Sequence, residues 1–346
     1  MKARITVLIP FYNPGSYLIE AIESVFNQIY ENWKLILIDD SSTEEYLSDI
    51  ALYLQDPRVT LIRNPLNIGQ SKSMNAGLEL VSTPFVVQLD SDDWFYPHTL
   101  EVLIQAAEKQ PKDVAVVSGN IHIIHEDPQG NRIQTEVYKG RNFIDRYDFL
   151  LANTSVWPRF YRTSALKQIG GWPTDDPYEG RFLEDKRILL RLIEHYRFHW
   201  VDQMLYNHRR HSGNQTNNIG VYAEMAEWTI RDALKRWGDE YEPVIITYGV
   251  GWKKVVNLVP KNLVDTPKEY RSLTNPEQPA QPKEPKRPVK PKAQRKAPAP
   301  YQNPPTPTSY SYYPRSNAGL GTRPGAGPGT GPNTGPGTGP GTGPGT

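Results

Sequence analysis

The sequence predicts an α/β fold built on a mostly parallel sheet flanked by helices, followed by a tail with no core of its own. Short β-branched runs alternate with helical stripes over residues 5–118, and polar clusters follow three of those runs, two of them rich in Asp. From about Asn275 onward Pro, Gly, Lys, Thr and Ser displace the large apolar residues, so that segment buries too little surface to offset its ordering entropy.

Ile5 to Ile9 is an apolar run stopped by Pro10 and reads as a buried strand. Phe11-Tyr12-Asn13-Pro14-Gly15 forms the turn after it, which puts Tyr12 and Asn13 at the carboxyl edge of the sheet. Leu18, Ala21, Ile22, Val25, Phe26 and Ile29 then make one helical stripe. Trp33 to Ile38 repeats the strand and ends in Asp39-Asp40-Ser41-Ser42-Thr43, with a helix from about Glu44 to Leu54. Arg58 to Ile62 is a third strand, a helix runs through Met74, Leu78 and Leu80, and Phe85 to Leu89 is a fourth strand. Strands separated by helices in this way pair in parallel, because a parallel neighbour needs a crossover of that length.

The fourth strand delivers Asp90-Ser91-Asp92-Asp93 to the same edge, where open α/β sheets bind ligands. Residues two apart on an extended segment share a side, so Asp90 and Asp92 can face one ligand. Carboxylates held together repel unless a cation lies between them, and hard oxygen donors suit Mg²⁺ or Mn²⁺ with a phosphate on its far side. The bland alternative is a solvated turn or a helix cap. Three such clusters on one edge favour a shared pocket.

Further along, Pro97 to Gln110 is a helix opened by Pro, Val114 to Ser118 a fifth strand, and Asp127 to Asn131 the turn of an antiparallel hairpin. His122 and His125 are spaced poorly for one strand face and are not expected to ligate a metal. Trp157, Arg159 and Trp172 lie where specificity is expected, between residues 119 and 183. Glu184 and Asp185 open an amphipathic helix, where capping and catalysis are both open readings. Phe198 to Val201 is strand-like, His208-Arg209-Arg210-His211 is a basic and imidazole cluster or else a solvated loop, and a helix covers Tyr222 to Trp237.

In order and spacing, Val7-Leu8-Ile9-Pro10-Phe11-Tyr12-Asn13, Asp39-Asp40-Ser41-Ser42, Asn67-Ile68-Gly69 with Asn75-Ala76-Gly77, Leu89-Asp90-Ser91-Asp92-Asp93, Gly170-Gly171-Trp172 and Glu184-Asp185 resemble family 2 glycosyltransferases of the GT-A, Rossmann-like fold. The resemblance covers residues 4 to about 215 and implies an inverting transferase with a divalent cation, Mn²⁺ or Mg²⁺. It implies that Pro10 and Tyr12 line the base pocket beside Asn13, and that Asp39 accepts from the imide N–H of uracil or thymine. Asp90 would lie near ribose and metal, Asp92 and His211 would hold the metal, and Asp185 would be the general base. Arg209 or Arg210 would contact the diphosphate. Many members carry a basic residue just before the asparagine of the third motif, where this chain has Met74; Lys72 is the nearest cation. That departure shifts the diphosphate onto the metal and residues 209–211.

The expected donor is a UDP-sugar, less readily a dTDP-sugar, and the acceptor a hydroxyl on a glycan, protein or lipid carrier, as in cell-envelope polysaccharide synthesis. A nucleotidyltransferase would place a Gly-rich basic loop after the first strand, and residues 11–15 lack the basic residue. A non-catalytic sugar-binding or surface-assembly protein on the same scaffold is the other rival. The domains read as 1–215 for the transferase, 216–272 for a helical extension and 273–346 for a disordered tail.

The net charge is +1, which argues against specific nucleic-acid binding. It hides an asymmetry, since residues 281–296 hold seven Lys/Arg against one Glu. That basic stretch could tether the enzyme peripherally to an anionic surface. The chain has no cysteine, which excludes disulfides and thiolate chemistry. Without a signal-like or membrane-spanning run, the expected location is cytoplasmic.

Overall fold

The computed structural model describes residues 2–43 and 45–264; the expected tail, its basic stretch and the end of the 216–272 extension lie outside these. No helix among the described residues is long and apolar enough to cross a membrane.

One sheet organises the fold. Strands β1 (Ile5–Phe11), β2 (Trp33–Asp39), β3 (Val59–Arg63) and β4 (Phe85–Gln88) pair in parallel in the order β3-β2-β1-β4. Their crossovers are α1 (Tyr17–Phe26), a short α2 (Leu47–Ile50) and α3 (Gln70–Glu79). After β4 come β5 (Trp94–Phe95), α4 (Thr99–Lys109), β6 (Val114–Glu126), β7 (Arg132–Tyr138), α5 (Arg146–Leu151), β8 (Arg159–Arg162) and α6 (Thr163–Gln168). Then follow α7 (Glu184–Leu192), β9 (Arg197–Arg210) and α8 (Ile219–Arg236).

The second half corrects the mostly parallel expectation. β8 joins β4 and β6 antiparallel, β7 joins β6 antiparallel, β5 joins β9 antiparallel, and only β6 and β9 pair in parallel. An antiparallel neighbour needs no helical crossover, so the strand-helix rhythm that reveals the first half is absent here. The helical extension is corrected too. After α8 the chain forms an antiparallel hairpin of β10 (Tyr241–Tyr248) and β11 (Trp252–Pro260), ending in the short helix α9 (Lys261–Val264).

Alternation along β1 splits the interior into two layers. Ile5, Val7 and Ile9 pack with Leu18, Ile22 and Val25 of α1 and with Leu103 and Ile104 of α4. Leu8 packs with Ile36, Ile38 and Val86 against Met74 and Leu78 of α3, Ile188 of α7, and Ile230 and Leu234 of α8. Helices therefore cover both faces, and only the carboxyl edge of β1, β2 and β4 remains open for chemistry.

Candidate active site

A cleft of about 810 Å³ runs along that edge. Its floor begins where Pro10 ends the apolar run of β1. Asn13 takes a left-handed conformation (φ 48°) there, which an Asn tolerates better than most side chains. Asn13 N–H donates to Ser42 Oγ at 2.9 Å, and Thr43 N–H donates to Asn13 Oδ1 at 2.8 Å, so the turns after β1 and β2 are sewn together. Pro10, Tyr12, Asn13 and Asp40 line the cleft, and Tyr12 is 48% exposed, with its ring free to stack.

Asp39 departs from its expected role. Its side chain is buried, Oδ1 accepts from Ser42 N–H at 2.7 Å, Oδ2 accepts from Tyr46 Oη–H at 2.7 Å, and Arg63 lies 3.1 Å away. These partners occupy the carboxylate, which caps the turn and is not among the groups lining the cleft. Asp40 staples the next loop, accepting from Ile68 N–H at 2.9 Å and Gly69 N–H at 2.8 Å.

The Asp90-Ser91-Asp92-Asp93 loop is gripped by the end of β9. Asp93 is buried and accepts from Arg209 N–H at 2.7 Å, with His208 Nδ1 at 3.0 Å. Burial works against the His208 imidazolium, yet Asp93 beside it raises His208 above its ordinary value. Asp92 faces the cleft, with His211 Nε2 3.1 Å away and Asn214 Nδ2 donating to it at 3.0 Å. Asp90 also lines the cleft, and it accepts from Arg159 at 2.6 Å and from Gln88 at 3.0 Å. Burial alone would raise the Asp90 carboxyl, but the Arg159 charge and these two hydrogen bonds hold it below its ordinary value.

Arg159 also donates to Asp185 Oδ2 at 3.1 Å, so the helix-borne acid stands in the same cleft as the loop acids. Asp185 and Glu184 begin α7 after Leu183, whose φ of 53° turns the chain sharply into the helix. Glu184 faces the cleft as well. Burial, with the charges of Asp185 and Asp90, pushes its carboxyl up to about 8. Burial brings the Lys186 ammonium down to about 7.

Two cations expected at the diphosphate lie elsewhere. Arg209 is buried in a network with Glu126 and Glu20, and its Nε donates to the Asp92 carbonyl at 2.7 Å. It shapes the loop and does not line the cleft, because a buried β9 continues through residues that read as an open basic loop. Lys72 pairs with Glu179, and Met74 lies in the core. Arg210 and His211 do line the cleft.

Asn67 and Gly69 line the cleft, while the Asn75 and Gly170-Gly171-Trp172 motifs hold one another. Asn75 Nδ2 donates to Trp172 O and Trp172 N–H donates to Asn75 Oδ1, both at 2.8 Å. Gly171 sits at φ 78° directly against Asn75, where a Cβ would collide with the amide.

Among the described residues no group of three or more His, Asp or Glu is arranged to hold a metal. Asp90 is committed to Arg159, which leaves Asp92 and His211 as the convergent pair. Sequence reading left Glu184 open between capping and catalysis, and it missed Lys186 at the cleft, the Arg159 bridge, and the wall built by α8 and the hairpin. Gly249-Val250-Gly251 between two β-branched runs was a usable hairpin signal for that wall.

A mixed sheet with an acidic loop at its carboxyl edge, facing a helix-borne acid across one cleft, defines the GT-A glycosyltransferase fold. The chain matches the model of glycosyl transferase family 2 over residues 6–170. It is 34% identical over 133 residues to glycosyltransferase GlyG of Streptococcus pneumoniae, covering 38% of this chain and 43% of that protein. It is 25% identical over 251 residues to the hyaluronan synthase of Pasteurella multocida, covering 68% of this chain and 24% of the synthase. The chain thus spans less than half the length of either relative. In fold it resembles S. aureus TarS residues 1–349 in complex with UDP-GlcNAc, with a TM-score of 0.53, 19% identity and coverage of 67% of this chain and 66% of that one.

Proposed function

We propose that the protein is an inverting glycosyltransferase that moves a sugar from a UDP-sugar to an acceptor hydroxyl. The carrying observation is that Asp185 and the Asp92–His211 pair open onto one cleft. The acceptor O–H gives its proton to Asp185 as the oxygen attacks the anomeric carbon from the side opposite the nucleotide. The bond from that carbon to the diphosphate oxygen breaks, and UDP leaves with the bonding electrons. Arg159 orients Asp185 for this through Oδ2, while Oδ1 accepts from Lys186 N–H at 2.7 Å, so the carboxylate is held at both oxygens and keeps a lone pair for the acceptor proton. Tyr12 supports the base by stacking, and Arg210 is placed to meet phosphate charge.

The donor set suits a hard divalent cation: one carboxylate and one imidazole converge at Asp92 and His211, and Mg²⁺ or Mn²⁺ commonly completes its shell with phosphate oxygens and water. Bound there, the ion would neutralise diphosphate charge. The test is release of UDP from UDP-sugars in Mn²⁺. Turnover by the wild type that disappears in Asp185→Asn supports the reading; equal turnover in both would reject it.

A further inference from the structure

Part of the cleft takes no part in the arrangement above. Its wall is made by Asn153, Thr154 and Ser155, by one face of α8, and by the tip of the β10–β11 hairpin. These pieces are joined. Asn153 Nδ2 donates to Val255 O at 2.6 Å, Val255 N–H donates to Asn153 Oδ1 at 2.9 Å, and Lys186, next to Asp185, donates to Thr154 O at 2.5 Å. At the hairpin tip Tyr248 and Trp252 are register partners, and Tyr222 of α8 backs Trp252 with ring centroids 6.2 Å apart.

Two hydroxyls on this wall are incomplete. Thr229 is 3% exposed, it lines the cleft, and its Oγ1 has no hydrogen-bond partner; buried Ser155 Oγ has none either. A buried hydroxyl left unbonded costs free energy that an arriving partner would recover. Both lysines on the wall are already engaged, Lys186 by Thr154 and Lys253 by Glu227.

We propose that this wall is the acceptor subsite and that it takes an uncharged saccharide, one sugar ring lying on Trp252 and Tyr248 while its hydroxyls bond Thr229 and Ser155. The inference rests on the transferase reading and narrows its acceptor. A pyranose offers an apolar C–H face and a rim of hydroxyls, which an aromatic surface beside unpaired hydroxyls matches. A phosphate-bearing acceptor would bring charge to a wall whose cations are spent.

The test is ligand-observed saturation-transfer NMR on the full chain. The probes are a panel of neutral gluco-, galacto-, manno- and N-acetylhexosamine saccharides, a phosphorylated disaccharide and a Ser/Thr peptide. Calorimetry of UDP with Mn²⁺ runs in parallel. Neutral saccharides bind the wild type, Trp252→Ala and the surface variant Tyr248→Ala each weaken them by about tenfold, and Thr229→Val weakens them severalfold, whereas UDP affinity stays within about twofold. The idea is overturned if no neutral saccharide binds, if the phosphorylated probe or the peptide binds in preference, or if Tyr248→Ala and Trp252→Ala change nothing. Failure of the wild type to bind UDP would count instead against the transferase reading, because the saccharide measurement needs no donor.

Discussion

Asp90 and Asp185 are joined through one guanidinium, Arg159 donating to the first at 2.6 Å and to the second at 3.1 Å. The Arg159 side chain is 3% exposed, so this contact is shielded from solvent and its geometry is fixed. Arg159→Gln removes the bridge and lets the two acids repel. Steady-state kinetics on a UDP-sugar then show a drop of roughly 100-fold in kcat, the size expected when a catalytic group is misplaced by about 1 Å. Arg159→Lys recovers only a small part, since an ammonium lacks the planar fork that serves both partners. Full recovery in the lysine variant would argue against the bridge.

Neighbouring arginines separate by role. Arg209 and Glu126 have side chains 4% and 2% exposed, so Arg209→Met leaves a buried carboxylate with only Tyr17 Oη–H and the more distant Arg132 and lowers stability by about 3 kcal/mol. Arg210→Ala, on the cleft, leaves the melting temperature close to wild type and weakens UDP. Chemical denaturation and calorimetry on the same two variants check this, and a reversed pattern would return Arg209 to the diphosphate.

Glu184 imposes a pH dependence on stability. Its carboxyl stays protonated to about 8 in the folded chain but ionises at its ordinary value of 4.5 when unfolded. Between those values the native state binds the extra proton, so its contribution to stability falls as pH rises. Lys186, lowered from 10.5 to about 7, has the opposite sign above 7, because there the unfolded chain holds the proton that the native state has released. Below that point Glu184 acts without it. In melts at about pH 5, 6 and 7, Glu184→Gln gains on the wild type progressively as pH rises. A gain of equal size at every pH would show that ionisation of Glu184 is not its source.

Asp92 and His211 carry the metal prediction. A ligand that binds only the folded state raises its melting temperature, so UDP with Mn²⁺ stabilises the wild type more than either alone. Asp92→Asn and His211→Ala each remove the extra shift while keeping the melting temperature of the unliganded protein near its wild-type value. Retention of the synergy in both variants would place the ion elsewhere.

The first half of this fold was readable because its parallel strands alternate with helices and three of them end in a polar cluster. Tyr12, Asn13 and Asp92 reached one cleft for that reason, and Asp185 joins them from the start of α7. Asp39 misled because adjacent acids look alike in sequence, while burial decides that its carboxylate meets Tyr46 and Arg63. Arg209 misled for a related cause: the outer part of β9 carries charged side chains on a covered strand, and their neutralising partners, Glu20 and Glu126, come from distant segments. Arg159 has no local signature, since its meaning depends on two acids that only folding brings to it.

The hairpin is attached to the catalytic body mainly through α8 and the Asn153–Val255 pair, and it lies outside the span that matches the family. On the proposed acceptor subsite, exchanging those two strands alters what receives the sugar and leaves the proposed donor side intact, which makes this corner of the molecule the place to graft new selectivity.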